Sequence, residues 1–234
     1  MRGMAPAGSS GRRALAYLAR LLAGLSGAAA VSLLVLLLVA TSQTLGNLLL
    51  ESTQEQSSAP IEQRQTLLAH VVGYLSAPAN ALVVHAGLSY RERAHFREVK
   101  QLLDAASRTA VSAGLVALAL TLVAQRLDSP GGGVFALGVT LRNAGFSLVL
   151  TAVLLATQLY RFDASLAALH WMLFDDSLWL LPADSLTARC FPASYFQTLA
   201  VWYGGCLSVV AVLLSSAGAL LASGNDRNGQ GHIR

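Results

Sequence analysis

The four most strongly hydrophobic stretches of this chain contain no charged residue. The uncharged runs cover residues 21–50, 109–125, 143–160 and 190–225. A helix needs about 20 apolar residues to cross roughly 30 Å of hydrocarbon, and arginines that flank a shorter run can extend their charges to the interface. The pattern therefore predicts an all-α, polytopic membrane protein with four transmembrane helices, at about residues 18–48, 107–125, 142–160 and 197–221.

Two longer polar segments, residues 49–106 and 161–196, alternate with these spans. We expect them to lie on one side of the membrane, where they form a small helical cap over the four helices. Residues 1–13 and 222–234 are rich in small and polar residues, which predicts two tails that lie outside the membrane domain. The membrane domain then takes up residues 14–221.

Helical periodicity extends into the first of these polar segments. Apolar residues recur at helical spacing over residues 61–84, a stretch too short and too polar to cross a membrane. It predicts an amphipathic helix on the outer membrane surface, broken at residues 77–78. Ser89, with Glu92 three positions later, forms a capping box and predicts the start of the helix that leads into the second span.

Composition and charge support this topology. Of the 234 residues, 54% are hydrophobic and 12% are charged, about half the charged fraction of a soluble domain, and the mean hydropathy is +0.55. Four spans place both termini on one side, and four arginines before the first span favour the cytoplasm (Arg2, Arg12, Arg13 and Arg20). We therefore predict a plasma-membrane protein, and ascribe its net charge of +4 to topology and anionic inner-leaflet lipid rather than to nucleic-acid binding.

Two histidines, His95 and His170, stand in the two outer segments. Imidazole is the side chain best suited to proton transfer near neutral pH, so a pair at a membrane surface suggests chemistry on a lipid-borne group. Glu92 and Glu98 are each three residues from His95 along a helix, and either can orient its ring. The nearby basic residues predict a collar for lipid phosphates or a contact to a lipid head group (Arg91, Arg93 and Lys100).

Polar and aromatic residues also follow His170. One of Asp175 and Asp176 caps a short helix or orients a histidine, and Trp179 is expected to combine anchoring at the interface with a part in the function. No compact metal-ligand spacing is present, and the two cysteines, Cys190 and Cys206, are predicted to be unpaired. The residues alone leave two other functions open: a haem- or metal-binding protein that uses the histidine pair, and a non-enzymatic assembly factor.

Three short motifs resemble those of a bacterial family of four-helix integral membrane proteins that includes the lipoprotein intramolecular transacylases. Residues 88–100 resemble its Glu-x-x-His motif, residues 169–182 its His-x-x-(Leu/Ile)-Phe motif, and residues 192–196 its closing Pro-x-x-(Phe/Tyr)-Phe. The chain departs from the family at Glu98, where aspartate is common. It departs again at Ser177, where the family usually has an aspartate directly after the Asn/Asp position that Asp176 takes.

The resemblance implies an enzyme that moves the sn-2 acyl chain of a diacylglyceryl-cysteine lipoprotein to its own N-terminal α-amine, giving a lyso-form lipoprotein. His95 and His170 match the two family histidines, and Glu92, Glu98, Asp176 and Trp179 match supporting positions. The implied partners are a diacylated lipoprotein and membrane lipid, and no cofactor or metal is expected. Which histidine is the base, and whether one of them is acylated, stays open at this point.

Overall fold

The structure is a computed structural model that describes residues 8–77, 87–127, 133–174 and 177–230. In these ranges the regular structure is entirely helical: eight α-helices, and single 3₁₀ turns at Gln54–Gln56 and Ser177–Trp179. The α-helices are α1 Gly8–Thr41, α2 Gln43–Ser52, α3 Ile61–Ser76, α4 Tyr90–Leu127, α5 Gly133–Leu159, α6 Phe162–Leu173, α7 Leu186–Cys190 and α8 Ala193–Gln230.

Four of these helices are long and apolar enough to cross a membrane. The candidate spans are Ser10–Thr41, Tyr90–Leu127, Gly133–Leu159 and Ala193–Ser223. The predicted all-α, four-span membrane protein is thereby confirmed. At 1.5 Å per residue, the 38 residues of α4 extend about 57 Å, well beyond the hydrocarbon thickness, because the helix begins in the predicted polar segment.

The first span differs from the expectation of about residues 18–48. Helix α1 ends at Thr41, and Ser42, in extended conformation, begins α2, with its hydroxyl accepting the amide hydrogen of Leu45 at 3.2 Å. A serine side chain can offer the backbone this alternative to a continuous helix. At the termini, α1 already begins at Gly8 and α8 runs to Gln230, inside the stretches predicted as tails.

The chain forms two compact units, and the first contains residues 1–33, 109–152 and 206–234. Here α5 and α8 approach closely: a Cβ atom added at Gly145 would lie 2.8 Å from the carbonyl oxygen of Ala211, so only glycine fits. Arg12 donates to the carbonyl oxygens of Arg126 and Leu127 at 3.1 and 2.9 Å. It thereby caps the C-terminal end of α4, where cations are favoured.

The second unit contains residues 34–108 and 153–205. Its core joins α2, α3 and α7 through buried apolar side chains, among them Leu50, Leu67, Leu68 and Phe191. The amphipathic helix predicted over residues 61–84 is present as α3, which ends at Ser76, and residues 78–86 lie outside the described part of the chain. Its apolar face packs against α2 and α7, so neighbouring helices bury this stripe.

Arg64 is the fully buried polar centre of this unit, with 0% of its surface exposed. Its guanidinium donates to the carbonyl oxygens of Leu50 and Cys190 at 2.7 and 2.8 Å, to the side-chain oxygen of Gln54 at 3.0 Å and to the Thr53 hydroxyl at 2.9 Å. Burial lowers the pKa of Arg64, but a guanidinium stays protonated in proteins. One side chain therefore ties the ends of α2 and α7 to α3.

We expect Arg64→Met to lower the free energy of unfolding by about 1–3 kcal/mol for each buried acceptor that loses its donor. Thermal unfolding in detergent micelles measures this loss. The matched control is Arg97→Met, which removes an exposed arginine from α4 and should change stability by no more than about 0.5 kcal/mol. Equal melting temperatures for the two variants would contradict the role of Arg64.

Cys190 provides a second check on this core. Both cysteines are free; Cys190 is buried, and burial raises the pKa of its thiol, so little reactive thiolate forms. In a Cys206→Ser background, we expect maleimide to leave Cys190 unlabelled until the protein is denatured. A cysteine introduced at exposed Ser58 should label in the folded protein, and equally fast labelling of Cys190 would contradict the packing of α7.

Candidate active site

Glu92 fixes the first turn of α4, on which the first histidine stands. Its carboxylate accepts the amide hydrogen of Ser89 at 2.8 Å, and the Ser89 hydroxyl accepts the Glu92 amide at 3.3 Å, so the predicted capping box is formed. The second carboxylate oxygen accepts the amide hydrogen of Thr187 at 2.7 Å. Glu92 is only 2% exposed, and these donors compensate its loss of water and favour the ionised carboxyl group.

His95 lies one turn further along α4 and is buried, with 9% of its surface exposed. Its Nδ1 atom lies 3.8 Å from a carboxylate oxygen of Glu98, so the predicted partner is beside the ring. The rings of Phe96 and Phe174 lie 6.3 and 5.1 Å from the imidazole, between centroids, and limit its movement.

His170 stands in the last turn of α6. Its Nδ1 atom lies 2.8 Å from the carbonyl oxygen of Leu166, one turn earlier on the same helix. A carbonyl oxygen can only accept, so Nδ1 carries the hydrogen, and in the neutral ring the lone pair is on Nε2. The helix therefore presents the basic nitrogen of His170 on the side away from its own backbone.

The two histidines meet in one aromatic cluster within the second unit. Their ring centroids are 5.9 Å apart, and Phe174 lies against both, at 5.1 Å from His95 and 5.4 Å from His170. Trp179 lies 5.0 Å from His170 and meets Trp171 edge to face at 5.1 Å. The geometry places two proton-transfer groups within reach of one small reacting centre.

This cluster borders a cavity of about 470 Å³ whose lining is mostly apolar. Both histidines and Trp179 line it, together with aliphatic and aromatic side chains from the same unit, including Leu68, Val71, Val72, Leu75, Phe96, Val99, Leu103, Leu166, Phe191 and Leu199. Such a lining suits a hydrocarbon chain, while the imidazoles provide convergent polar groups at one point of the wall.

The three basic residues expected at a lipid head group differ in their surroundings. Arg91 and Arg93 are exposed; Arg91 donates to the carbonyl oxygen of Leu180 at 3.0 Å, and Arg93 to that of Leu88. Lys100 is instead buried, with 3% of its surface exposed.

The ammonium group of Lys100 holds the end of α3. It donates to the carbonyl oxygen of Ala77 at 2.6 Å, lies 3.8 Å from Asp104 and stands over the ring of Tyr74. These contacts stabilise the C-terminus of α3, where a cation is favoured. The structure thus gives Lys100 a structural contact in place of the lipid head-group contact that the sequence suggested.

Asp175 and Asp176 lie outside the described residues, so the predicted support from Asp176 stays a prediction. Among the residues that the structure does describe, no group of three or more histidine, cysteine, aspartate or glutamate side chains forms a possible metal site.

Two residues of this unit were missed at the level of sequence. Asp163 also lines the cavity; it lies seven positions before His170, and this spacing places both residues on the same face of α6. Arg64 lies three, four and seven positions before Leu67, Leu68 and Val71, so helical periodicity already placed it on the buried face of α3. Both signals are present in the sequence, but helical spacing alone does not distinguish a buried charge from a solvated one.

Comparisons with known proteins agree with this fold. The family model described as lipoprotein intramolecular transacylase Lit matches residues 24–196. The solved structure of the membrane integral lipoprotein intramolecular transacylase Lit from Bacillus cereus is similar over 91% of this chain and 98% of that chain, with a TM-score of 0.78 and 15% identity.

Two structures of Bacillus cereus Lit variants with a replaced histidine are similar as well. Each covers 91% of this chain, at 14% identity, with 94% and 96% of those chains covered and TM-scores of 0.73 and 0.72. No curated protein sequence matches the chain. Because the family model covers most of the chain, the protein belongs to the lipoprotein intramolecular transacylase family, membrane-integral acyltransferases that act on lipoproteins.

Proposed function

We propose that this protein transfers the sn-2 acyl chain of a diacylglyceryl-cysteine lipoprotein to the α-amino group of that same cysteine, with His170 and His95 as base and acid. The observation that carries the assignment is the pair of imidazoles 5.9 Å apart on the wall of an apolar cavity. The family membership supports a lipoprotein substrate, and the cavity supports a lipid chain beside the reacting groups.

His170 acts as the general base. Its Nδ1–H is held by the Leu166 carbonyl, so Nε2 is free to take a proton from the cysteine α-ammonium, whose pKa lies near 7.7–8.0 in model compounds. His170 passes this proton to water. The freed amine attacks the sn-2 carbonyl carbon, and a C–N bond forms while the carbonyl π electrons move to oxygen and His170 takes the second proton that the nitrogen must lose. Amine and ester belong to one molecule, so positioning supplies much of the rate.

His95 acts as the general acid. In its imidazolium form, with a Glu98 carboxylate oxygen 3.8 Å from Nδ1, His95 gives a proton to the glycerol oxygen as the C–O bond breaks. The products are an amide and a free hydroxyl on glycerol. No redox step occurs, because the acyl group only exchanges an oxygen for a nitrogen.

The surrounding residues have distinct supporting roles in this proposal. Glu92 holds the first turn of α4 against α7, and Asp176 is kept as a supporting acid. Arg91 and Arg93 carry exposed charges near the start of α4 that suit a lipid phosphate. The arginines near the N-terminus favour cytoplasmic termini and hence a site at the outer leaflet of the plasma membrane.

Mass spectrometry of a diacylated lipopeptide tests the two histidines. Wild type should convert a free amine with two O-acyl chains into one N-acyl and one O-acyl chain at unchanged mass. His95→Ala and His170→Ala should each lower the rate about 100- to 10,000-fold, as expected when a general acid or base is removed.

His70→Ala is the matched control for these variants. His70 makes the same contact as His170, from Nδ1 to the carbonyl oxygen four residues earlier, at 2.7 Å from Thr66, but it is exposed and does not line the cavity. Its replacement should leave the rate within about twofold of wild type. A folded wild type that converts no lipopeptide, or histidine variants with full activity, would contradict the proposal.

Narrowing the cavity should change the preference for acyl-chain length. Val99→Trp places a large ring in the lining, and each methylene that no longer fits loses about 0.8 kcal/mol, or roughly fourfold in kcat/KM. Lipopeptides with graded sn-2 chains measure the effect. Val111→Trp, at an exposed position on the same helix, is the control, and identical chain-length profiles for the two variants would contradict an acyl-binding role.

A further inference from the structure

The indole N–H of Trp179 is a buried donor without an acceptor. The Nε1 atom is shielded from solvent, and no hydrogen-bond partner for it exists among the described residues. Most buried donors in folded proteins are paired, and an unpaired one costs about 1–3 kcal/mol. Trp179 lines a ligand-sized cavity, so a polar atom of a bound ligand can supply the acceptor that the described residues lack.

The ring is held in place beside the proposed base. Trp179 lies 5.0 Å from His170 between ring centroids, and Trp171 packs edge to face against it at an interplanar angle of 90°. Trp179 also lines the same cavity as both histidines. The indole is therefore positioned before a substrate arrives, which is what a donor to a short-lived charge requires.

The proposed reaction develops such a charge. When the amine attacks the sn-2 ester, the electron pair of the carbonyl π bond moves onto oxygen and forms an oxyanion. His170 is then taking the second proton of the nitrogen, and His95 holds the proton that the glycerol oxygen will receive, so neither is left to stabilise that charge. An indole N–H donates without accepting, and it does not titrate in the working pH range.

We propose that the Trp179 N–H donates a hydrogen bond to the sn-2 carbonyl oxygen of the substrate and stabilises the oxyanion of the tetrahedral intermediate. This role rests on the proposed function. The C–N bond has formed at this stage, the C–O bond to glycerol is still intact, and the hydrogen stays on the indole nitrogen throughout. When the intermediate collapses, the electron pair returns to the carbonyl and the glycerol oxygen leaves with a proton from His95.

Trp179→Phe tests the role, because it removes the N–H and keeps an aromatic ring. The rate of acyl transfer should fall about 100- to 1,000-fold, the usual loss for one oxyanion donor. The affinity for an N-acetylated diacyl lipopeptide, which binds but cannot react, should change by less than about threefold, since the hydrogen bond strengthens only in the transition state.

A phosphonate in place of the sn-2 ester carries a tetrahedral, anionic oxygen and mimics the intermediate. Its affinity should fall in Trp179→Phe by about the same factor as the rate. Trp202→Phe, which removes an exposed indole in α8 that does not line the cavity, should leave rate and phosphonate affinity within about twofold of wild type. If Trp179→Phe fails to fold, 3-benzothienylalanine at position 179 keeps the ring shape and replaces only the N–H with sulfur.

The outcomes separate this role from the function on which it rests. Wild type that transfers the acyl group, together with a Trp179→Phe variant within about threefold of its rate, overturns the donor role alone. An equal loss of affinity for the phosphonate and the N-acetylated lipopeptide also overturns it, because Trp179 then serves only to pack against the substrate. A folded wild type without transfer overturns the proposed function and this role together.

Discussion

The five-residue helix α7 is held by a charged side chain at each end, and the arrangement of the second unit depends on these two contacts. The Glu92 carboxylate accepts the Thr187 amide near the first turn, and the Arg64 guanidinium donates to the Cys190 carbonyl at the last. Both charges have the sign that the helix dipole favours. Since so short a helix is not stable alone, these partners and the buried side chains of α7 decide where it lies.

The position of α7 has consequences for the active site. Glu92 stands one turn before His95. Its carboxylate therefore orders α4, which carries His95, and also anchors α7, which follows His170 in the sequence. Arg91 adds a bond to the Leu180 carbonyl, just after the turn that contains Trp179. Polar contacts thus bring the two histidines together from distant parts of the sequence. The apolar cavity beside them provides space but no directional interaction.

Local rules account for what the sequence predicted well. The uncharged runs predicted four spans because the hydrocarbon thickness sets a minimum helix length, and Ser89 with Glu92 predicted the start of α4 because a capping box needs only neighbours along the chain. The histidine pair was predicted from residue chemistry and from the family resemblance. The 5.9 Å separation between the two rings was not predicted, because neither segment contains information about its distance from the other in the fold.

The expectations that failed concern what covers a side chain. The apolar stripe of α3 has the same sequence pattern whether lipid or protein buries it. Its packing against α2 and α7 was therefore not predicted. Lys100 was expected at a lipid phosphate and instead holds the end of α3, since a cation suits both an anionic lipid and helix carbonyls. Arg64 was overlooked because a buried guanidinium needs acceptors that only the fold brings together.

The bond from His170 to Leu166 gives the active site a form of independence. Both residues belong to α6, a helix that has no buried residue of its own. The tautomer of the imidazole is therefore encoded within one helical turn and does not rely on a partner elsewhere in the fold. Any displacement of α6 carries this bond along with the ring, so a movement of the helix leaves the basic nitrogen of His170 in the same tautomer.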